Sequence, residues 1–449
     1  MINRFKRHQV DQRDLQGNIL CGYGNDFAWG THLFFEIGDA EATRHWLIGL
    51  CDEVTDAVPW PGGWKPLTTL NVALTAAGLH ALGLPDQVLL QFPEVFREGM
   101  FERADEIGDR DASEPTNWEE GLQKPQLLVI VMAQEKAARE RRVEELRRSG
   151  PKFAYRQDSD LITDKDHPSG YAREHFGFAD GFSQPAIRGN AGPSTRRGMG
   201  TPLRHGRWRE LAPGEFVLGY EGEDRLVPAA PPAPLGQSGS FMVWRKLKQD
   251  VDGFQQYLRK AAAGPLGLSE QALAAKMVGR WQDGRSLVVS DQPPGPDVPA
   301  PDADTINDFL YGTGAAGACP MGAHVRRANP RDALGYEGRL VKRHRIIRRG
   351  MPYTDAEDER GLVFVCYQAD IMRQFELIQS SWLLDGDPFW LGPEPDPLTM
   401  GGKQGRMTIQ GQPPHYLPSL ASFVTTRGGG YFFVPGLAAL RALASAYWR

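Results

Sequence analysis

Residues His175–Gly189 read HFGFADGFSQPAIRG. The stretch sets one carboxylate, Asp180, between Gly177 and Gly181, and a further glycine, Gly189, closes it. Glycines on both sides let a backbone turn sharply and come close to a flat ligand. An isolated GxxDG five-mer would otherwise read as a surface turn. After it, around Gly189–Pro213, the chain becomes basic, glycine-rich and aperiodic, so this region reads as the joint between two halves.

Upstream of the joint, Thr31–Ile37 (THLFFEI) reads as a strand, and Asp39 offers a cap for a helix over Ala40–Cys51. Asp52–Thr69 is a Pro/Gly/Trp-rich loop, and Asn71–Leu82 (NVALTAAGLHAL) reads as a second helix stopped by Gly83 and Pro85. Leu127–Met132 (LLVIVM) is an apolar run of buried-strand type, and Glu135–Arg148 is a charged amphipathic helix. Such alternation is the grammar of an α+β unit, an antiparallel sheet with helices on one face. Downstream, Ser240–Leu247 (SFMVWRKL) and Leu362–Tyr367 (LVFVCY) read as strands, and Gln249–Lys260, Ser269–Met277 and Ile371–Trp382 as helices. A last strand over Tyr431–Val434 precedes a helix over Leu437–Ala446. Each of THLFFEI, SFMVWRKL and LVFVCY is followed by an aspartate and then a helix, an echo that suggests an old duplication. The domain organisation expected is an N-terminal arm over residues 1–28, a first unit over 29–213 that carries Asp180, and a second unit over 214–449.

The chain has 449 residues, 41% of them hydrophobic, enough for one large core or two linked ones. A formal charge of -5 with 24% charged residues fits an ordinary soluble protein and gives no reason to expect nucleic acid as a partner. No run approaches the roughly eighteen apolar residues of a membrane helix, and the opening MINRFKRHQVDQRDL lacks the apolar core of a signal peptide. Cytoplasmic residence is therefore the expectation. The four cysteines form no CxxC pair, which argues against zinc or an iron–sulfur cluster. GxGxxG after a strand, a P-loop and HExxH are all missing from the sequence, which argues against nucleotide, flavin and zinc-hydrolase chemistry.

The longer string around Asp180 resembles the GxxDG signature of the dye-decolourising peroxidase family, whose members use haem b to reduce hydrogen peroxide. Three further stretches fit the same family in the same order. In ACPMGAHVRRANPR (Ala318–Arg331), His324 corresponds to the proximal histidine that binds haem iron, and imidazole nitrogen is a suitable iron ligand. IIRRGMPY (Ile346–Tyr353) resembles the RxGxPY element and makes Arg348 the distal arginine. Arg349 competes for that role, but neighbours in an extended segment point to opposite faces, so only one enters the pocket. EPDPLTMG (Glu394–Gly401) resembles the element carrying the acid partner of the proximal histidine, which would be Asp396, with Asp385 and Asp387 as rivals.

The resemblance implies two ferredoxin-like domains of the dimeric α+β barrel kind, with antiparallel sheets, peripheral helices and haem held by the second. It implies Leu362 and Phe364, on one face of their strand, as the wall of the peroxide pocket. Arg331 is the favoured partner of a haem propionate, with Arg326 and Arg327 as competitors, and Gly177 and Gly181 are read as backing the cofactor. His344 is read as facing solvent or a propionate. Bulky dyes would be oxidised at surface aromatics, for which Tyr336 and Trp382 are the candidates. Peroxide must lose a proton and have it returned to the departing oxygen. Asp180 is the expected shuttle, while Arg348 stays protonated and stabilises negative charge. Carboxylates ordinarily titrate near about 4, which implies an acidic pH optimum. Two other readings are kept: haem handling without peroxidase turnover, and a non-enzymatic module that binds protein or polyanion through Arg343–Arg349.

Overall fold

The hydrophobic runs pair as strands because each is apolar on both faces and needs cover on both. In the computed structural model, which describes residues 9–163, 171–190, 197–203, 207–295, 298–299, 301–312, 318–400, 405–417 and 420–447, the first unit contributes β1 (Trp29–Glu36), β2 (Thr68–Leu74), β3 (Leu127–Ala133) and β4 (Lys152–Asp160). The second contributes β5 (Ser240–Gln249), β6 (Ile347–Arg348), β7 (Met351–Thr354), β8 (Arg360–Gln368) and β9 (Val424–Val434). They join in one nine-stranded sheet of order β6-β8-β5-β9-β2-β3-β1-β4, with β7 also on β8 and every pairing antiparallel. Each half, counted within itself and with β6 and β7 taken as one interrupted strand, has the order 4-1-3-2 of a ferredoxin-like unit. The echo seen in the sequence therefore matches a repeated topology. β9 pairs β2 through Phe433 and Leu74, and β4 packs against β7, so the sheet curls toward a barrel.

Alternation along the strands sorts side chains between two cores. Phe34, Met242, Trp244, Val363, Val365 and Phe432 fill the inside of the curl. Leu33, Phe35, Val72, Phe241, Val243 and Phe433 face outward under the helices. Asp39 caps the Ala40–Leu50 helix by accepting the Ala42 N–H at 3.0 Å, as its sequence position predicts. The amino-terminal arm is inserted rather than laid on the surface: Leu15, Gln16 and Ile19 are fully buried. The Gln16 side chain donates to the carbonyls of Val72 (2.8 Å) and Pro435 (3.0 Å) and so ties both halves. The first eight residues of the arm and parts of the Gly189–Pro213 and Asp291–Ala318 loops lie outside the described residues.

Two expectations change. Asn71–Leu82 is not one helix: Thr68–Leu74 is strand β2, and the helix runs only over Ala76–Ala81. Asn71–Leu74 instead complete the ladder beside β3, from Asn71 opposite Ile130 to Leu74 opposite Leu127. Thr75 then starts the helix by accepting the Gly78 N–H at 3.0 Å. Long-range pairing overrides a local helical pattern here. Ile371–Trp382 is helical, but with wide π-type turns over Met372–Glu376 and Ile378–Leu383, a form frequent at functional sites.

Candidate active site

Outward-facing residues of β5 and β8, the π-type helix, loops of the second unit and the Glu174–Ser183 loop of the first enclose a cavity of about 290 Å³. His324 enters it from the first position of a short helix, His324–Ala328. Its Nδ1 donates to Asp396 Oδ2 at 2.9 Å. Asp396 is fully buried, and its other oxygen accepts the amides of Leu398 (3.0 Å) and Thr399 (2.9 Å) and the Thr399 hydroxyl (2.9 Å). Burial works against its charge, but the adjacent imidazole, Arg327 and these donors hold the carboxyl below its usual range. For His324, burial pulls the imidazole down and Asp396 more than offsets it, leaving it raised. With Nδ1 committed, Nε2 is left for the cavity. Of the three aspartates weighed from sequence, Asp396 is the one that reaches the histidine. The Asp385 carbonyl instead accepts from Arg327 at 3.1 Å.

Asp180 lines the same cavity. Its loop is a tight turn: Gly177 and Gly181 have φ of +94° and +85°, a region natural only to glycine. Neither glycine is among the residues lining the cavity; they shape the turn that carries Asp180 to it. Glu174 staples that turn, its carboxylate accepting the amides of Phe176 and Phe178, both at 2.8 Å, and the Gln249 side chain at 2.6 Å. Asp180 Oδ1 lies 3.3 Å from an Arg348 guanidinium nitrogen. Arg349 points the other way and donates to the carbonyls of Asn18, Ile19 and Leu20. Strand alternation thus separates the two arginines. Leu362 and Phe364 both face the cavity.

The cavity wall is rich in cations. Arg280, Arg331 and Arg345 line it with Arg348, and burial together with neighbouring guanidinium groups pushes each of the first three down to about 10. Arg280 donates to the Gly284 carbonyl and to Asn307 Oδ1. Arg331 donates to the carbonyls of Asn307 (3.0 Å) and Phe309 (2.9 Å) and stacks 4.0 Å from the Phe309 ring. Its backbone sits at φ +54°, costly for any residue but glycine and a frequent mark of a functional position. Arg326 and Arg327 do not line the cavity. Arg327 is fully buried on the carbonyls of Gly322, Trp382, Asp385 and Glu394, and Arg326 donates to the Cys319 carbonyl.

His344 lines the cavity rather than facing solvent, with Nδ1 on the Arg373 carbonyl at 2.6 Å. Trp382, read from sequence as a surface site, is only 5% exposed and packs edge-on against His344. Its apolar ring fills a small core with Ile378, Leu383 and Phe389, so no surface donor reaches it. Tyr336 is 75% exposed. Sequence reasoning missed Arg280, Arg345 and Glu174. Arg345 was hidden in the run VKRHRIIRRG, where only the fold tells a cavity cation from a solvated one.

Comparison with known proteins now bears on this geometry. A family model described as the DyP dimeric alpha+beta barrel domain matches residues 14–159, and one described as the C-terminal part of Dyp-type peroxidases matches 233–387. A dye-decolorizing peroxidase of Mycetinis scorodonius is 31% identical, over 96% of this chain and 87% of its own. The chain belongs to the dye-decolourising peroxidase family. A multifunctional dye peroxidase of Amycolatopsis sp. is 30% identical over 96% of this chain and 95% of its own. The crystal structure of an Anabaena DyP-type peroxidase superposes with a TM-score of 0.80 at 25% identity, covering 99% of this chain and all of that one. As a member of this family the protein is a haem peroxidase, and haem b is its cofactor. The cavity suits that group chemically. It offers an imidazole with one free nitrogen, apolar walls for a flat macrocycle, and more buried guanidinium than its own carboxylates neutralise. A dicarboxylate would supply the missing negative charge.

Proposed function

We propose that the enzyme reduces hydrogen peroxide with aromatic and dye donors through four residues of this cavity. The observation that carries the reading is the shared placement of the His324–Asp396 and Asp180–Arg348 pairs in one enclosure. Haem, when bound, supplies the iron that takes the peroxide and the electrons that cleave its O–O bond. His324 Nε2 would hold that iron, and Asp396, bonded to Nδ1, would fix the ring's tautomer and give it anionic character. Asp180 takes the proton from the near peroxide oxygen and returns it to the far one, which leaves as water. Arg348 cannot serve as base; it stabilises charge on the departing oxygen. Leu362 and Phe364 exclude water and competing ligands. Arg345, whose guanidinium has no hydrogen-bond partner among the described residues, is the first candidate for a haem carboxylate, with Arg331 beside it.

Donors too large for the cavity are assigned to exposed Tyr336. The division of the chain at residues 213 and 214 belongs to the same reading: Asp180 comes from the first unit, and His324, Arg348 and Asp396 come from the second. No helix among the described residues is long and apolar enough to cross a membrane. All four cysteines are free, which suits a reducing cytoplasm.

Absorption spectra of the wild type and His324→Ala, with and without peroxide, test the reading alongside turnover of an anthraquinone dye. The wild type should show a haem band that changes on adding peroxide, and the variant should lose it. A variant that keeps both the band and dye turnover would refute the assignment.

A further inference from the structure

The ion pair of Asp180 and Arg348 joins two elements that are far apart in sequence, a glycine turn and an edge strand. Each needs something to fix it relative to the other. β6 lies at one end of the strand order. The Arg349 N–H bonds inward to the Val365 carbonyl at 2.7 Å. The Arg348 N–H has no ladder partner and points off the sheet, where it meets Gln184 Oε1 at 2.9 Å. Gln184 lies four residues beyond Asp180 on the same loop and precedes Pro185, whose ring restricts the chain there. It is set back from the cavity, whose wall is formed by its neighbour Ser183.

The other end of the loop is already held. Glu174 accepts the Phe176 and Phe178 amides, the Ala179 N–H reaches the Gln282 carbonyl, and the Asp180 N–H reaches the Ala172 carbonyl, both at 2.9 Å. Asp180 therefore hangs from a loop tied to Ala172 and Gln282 on one side and to the backbone of Arg348 on the other. We infer that Gln184 is a positioning residue: by holding the Arg348 amide from the Asp180 loop, it sets the separation of acid and guanidinium on which peroxide activation depends. The inference rests on the functional reading given above for that pair. Gln184 touches neither peroxide nor haem and acts only through Arg348.

The test compares haem-loaded wild type, Gln184→Ala, Gln184→Glu and Asp180→Asn. The readouts are the bimolecular rate with peroxide, the dissociation constant for cyanide, the KM for a small aromatic donor, and the melting temperature. Cyanide reports on the same pair without turnover, because hydrogen cyanide must give up its proton to bind as the anion. Displacing a reacting group by about an ångström costs up to roughly a hundredfold. Gln184→Ala should therefore lower the peroxide rate and cyanide affinity about tenfold, while donor KM and melting temperature stay put. Gln184→Glu keeps an acceptor oxygen at the same reach and should recover most of the loss. Equal damage in the two Gln184 variants, or an alanine variant within about twofold of wild type, would overturn the inference while a slow Asp180→Asn left the pair's role standing. If Asp180→Asn itself reacted like wild type, the functional reading would fall and the inference with it.

Discussion

His32 should make the fold sensitive to acid by an amount that can be worked out. The ring is buried inside the curled sheet. Its Nδ1 accepts the Trp244 indole N–H at 3.1 Å, so the neutral ring carries its proton on Nε2, 3.3 Å from Ser159 Oγ. Protonation would set a second N–H against the indole donor. Burial lowers the imidazole from 6.5 to about 4, against the opposing pull of the Asp158 carboxylate, itself held by Arg156. In the unfolded chain the ring gains its proton as pH falls through its ordinary value, while in the folded protein it stays neutral until about 4. The stabilisation is therefore complete above the ordinary value and drains away as pH falls toward the folded one. At roughly 1.4 kcal/mol per unit, about 2.5 kcal/mol should be lost between pH 7.5 and pH 4.5. His32→Gln keeps an acceptor for Trp244 and a donor for Ser159 but has nothing to titrate. Denaturant unfolding of haem-loaded protein, followed by far-UV circular dichroism at the two pH values, measures both. Other carboxylates lose stability in acid too, so the quantity to compare is the difference between wild type and variant. The variant should lose about 2.5 kcal/mol less than the wild type. Parallel losses in the two proteins would refute the argument.

Asp180→Asn should slow the reaction with peroxide by about a hundredfold or more, the usual scale for a lost general base, with haem content unchanged; stopped-flow spectroscopy measures it. Asp396→Asn removes the anion behind His324, so the ferric–ferrous midpoint potential should rise and cofactor affinity should fall by about tenfold or more, both readable by spectroelectrochemistry and haem titration. Arg345→Leu should release haem to apomyoglobin faster than the wild type does, and faster than Arg331→Leu, whose side chain is already satisfied by two carbonyls. Faster release from Arg331→Leu than from Arg345→Leu would make Arg331 the carboxylate partner instead.

The site was legible where chemistry fixes residue type at fixed spacing. Asp180, His324, Arg348 and Asp396 could be named from four short strings, and all four line one cavity or hydrogen-bond a residue that does. What escaped depends on long-range contacts. Thr68–Leu74 carries a helical pattern at its end, and only pairing with Leu127–Ala133 makes it strand. Strand β4, KFAYRQDSD, shows no apolar stripe because its charges answer other elements: Arg156 bonds Glu140 of the neighbouring helix. Trp382 looked like any other tryptophan in a helix, and nothing local says that His344 and Phe389 cover it. Arg345 is one of four arginines in the ten residues Val341–Gly350, and its difference from the rest is what does not approach its guanidinium group.

The position of β9 governs when the enzyme can exist at all. This strand lies between β5 and β2 and is the seam of the sheet, yet of the nine strands in that sheet it is translated last. Translation at about 5–20 residues per second puts roughly ten to fifty seconds between the emergence of Asp180 and that of Val434. During that interval the first unit waits with the outer edge of β2 unclaimed. Truncation from the carboxyl end should therefore cost the union of the halves before it touches any residue that handles peroxide.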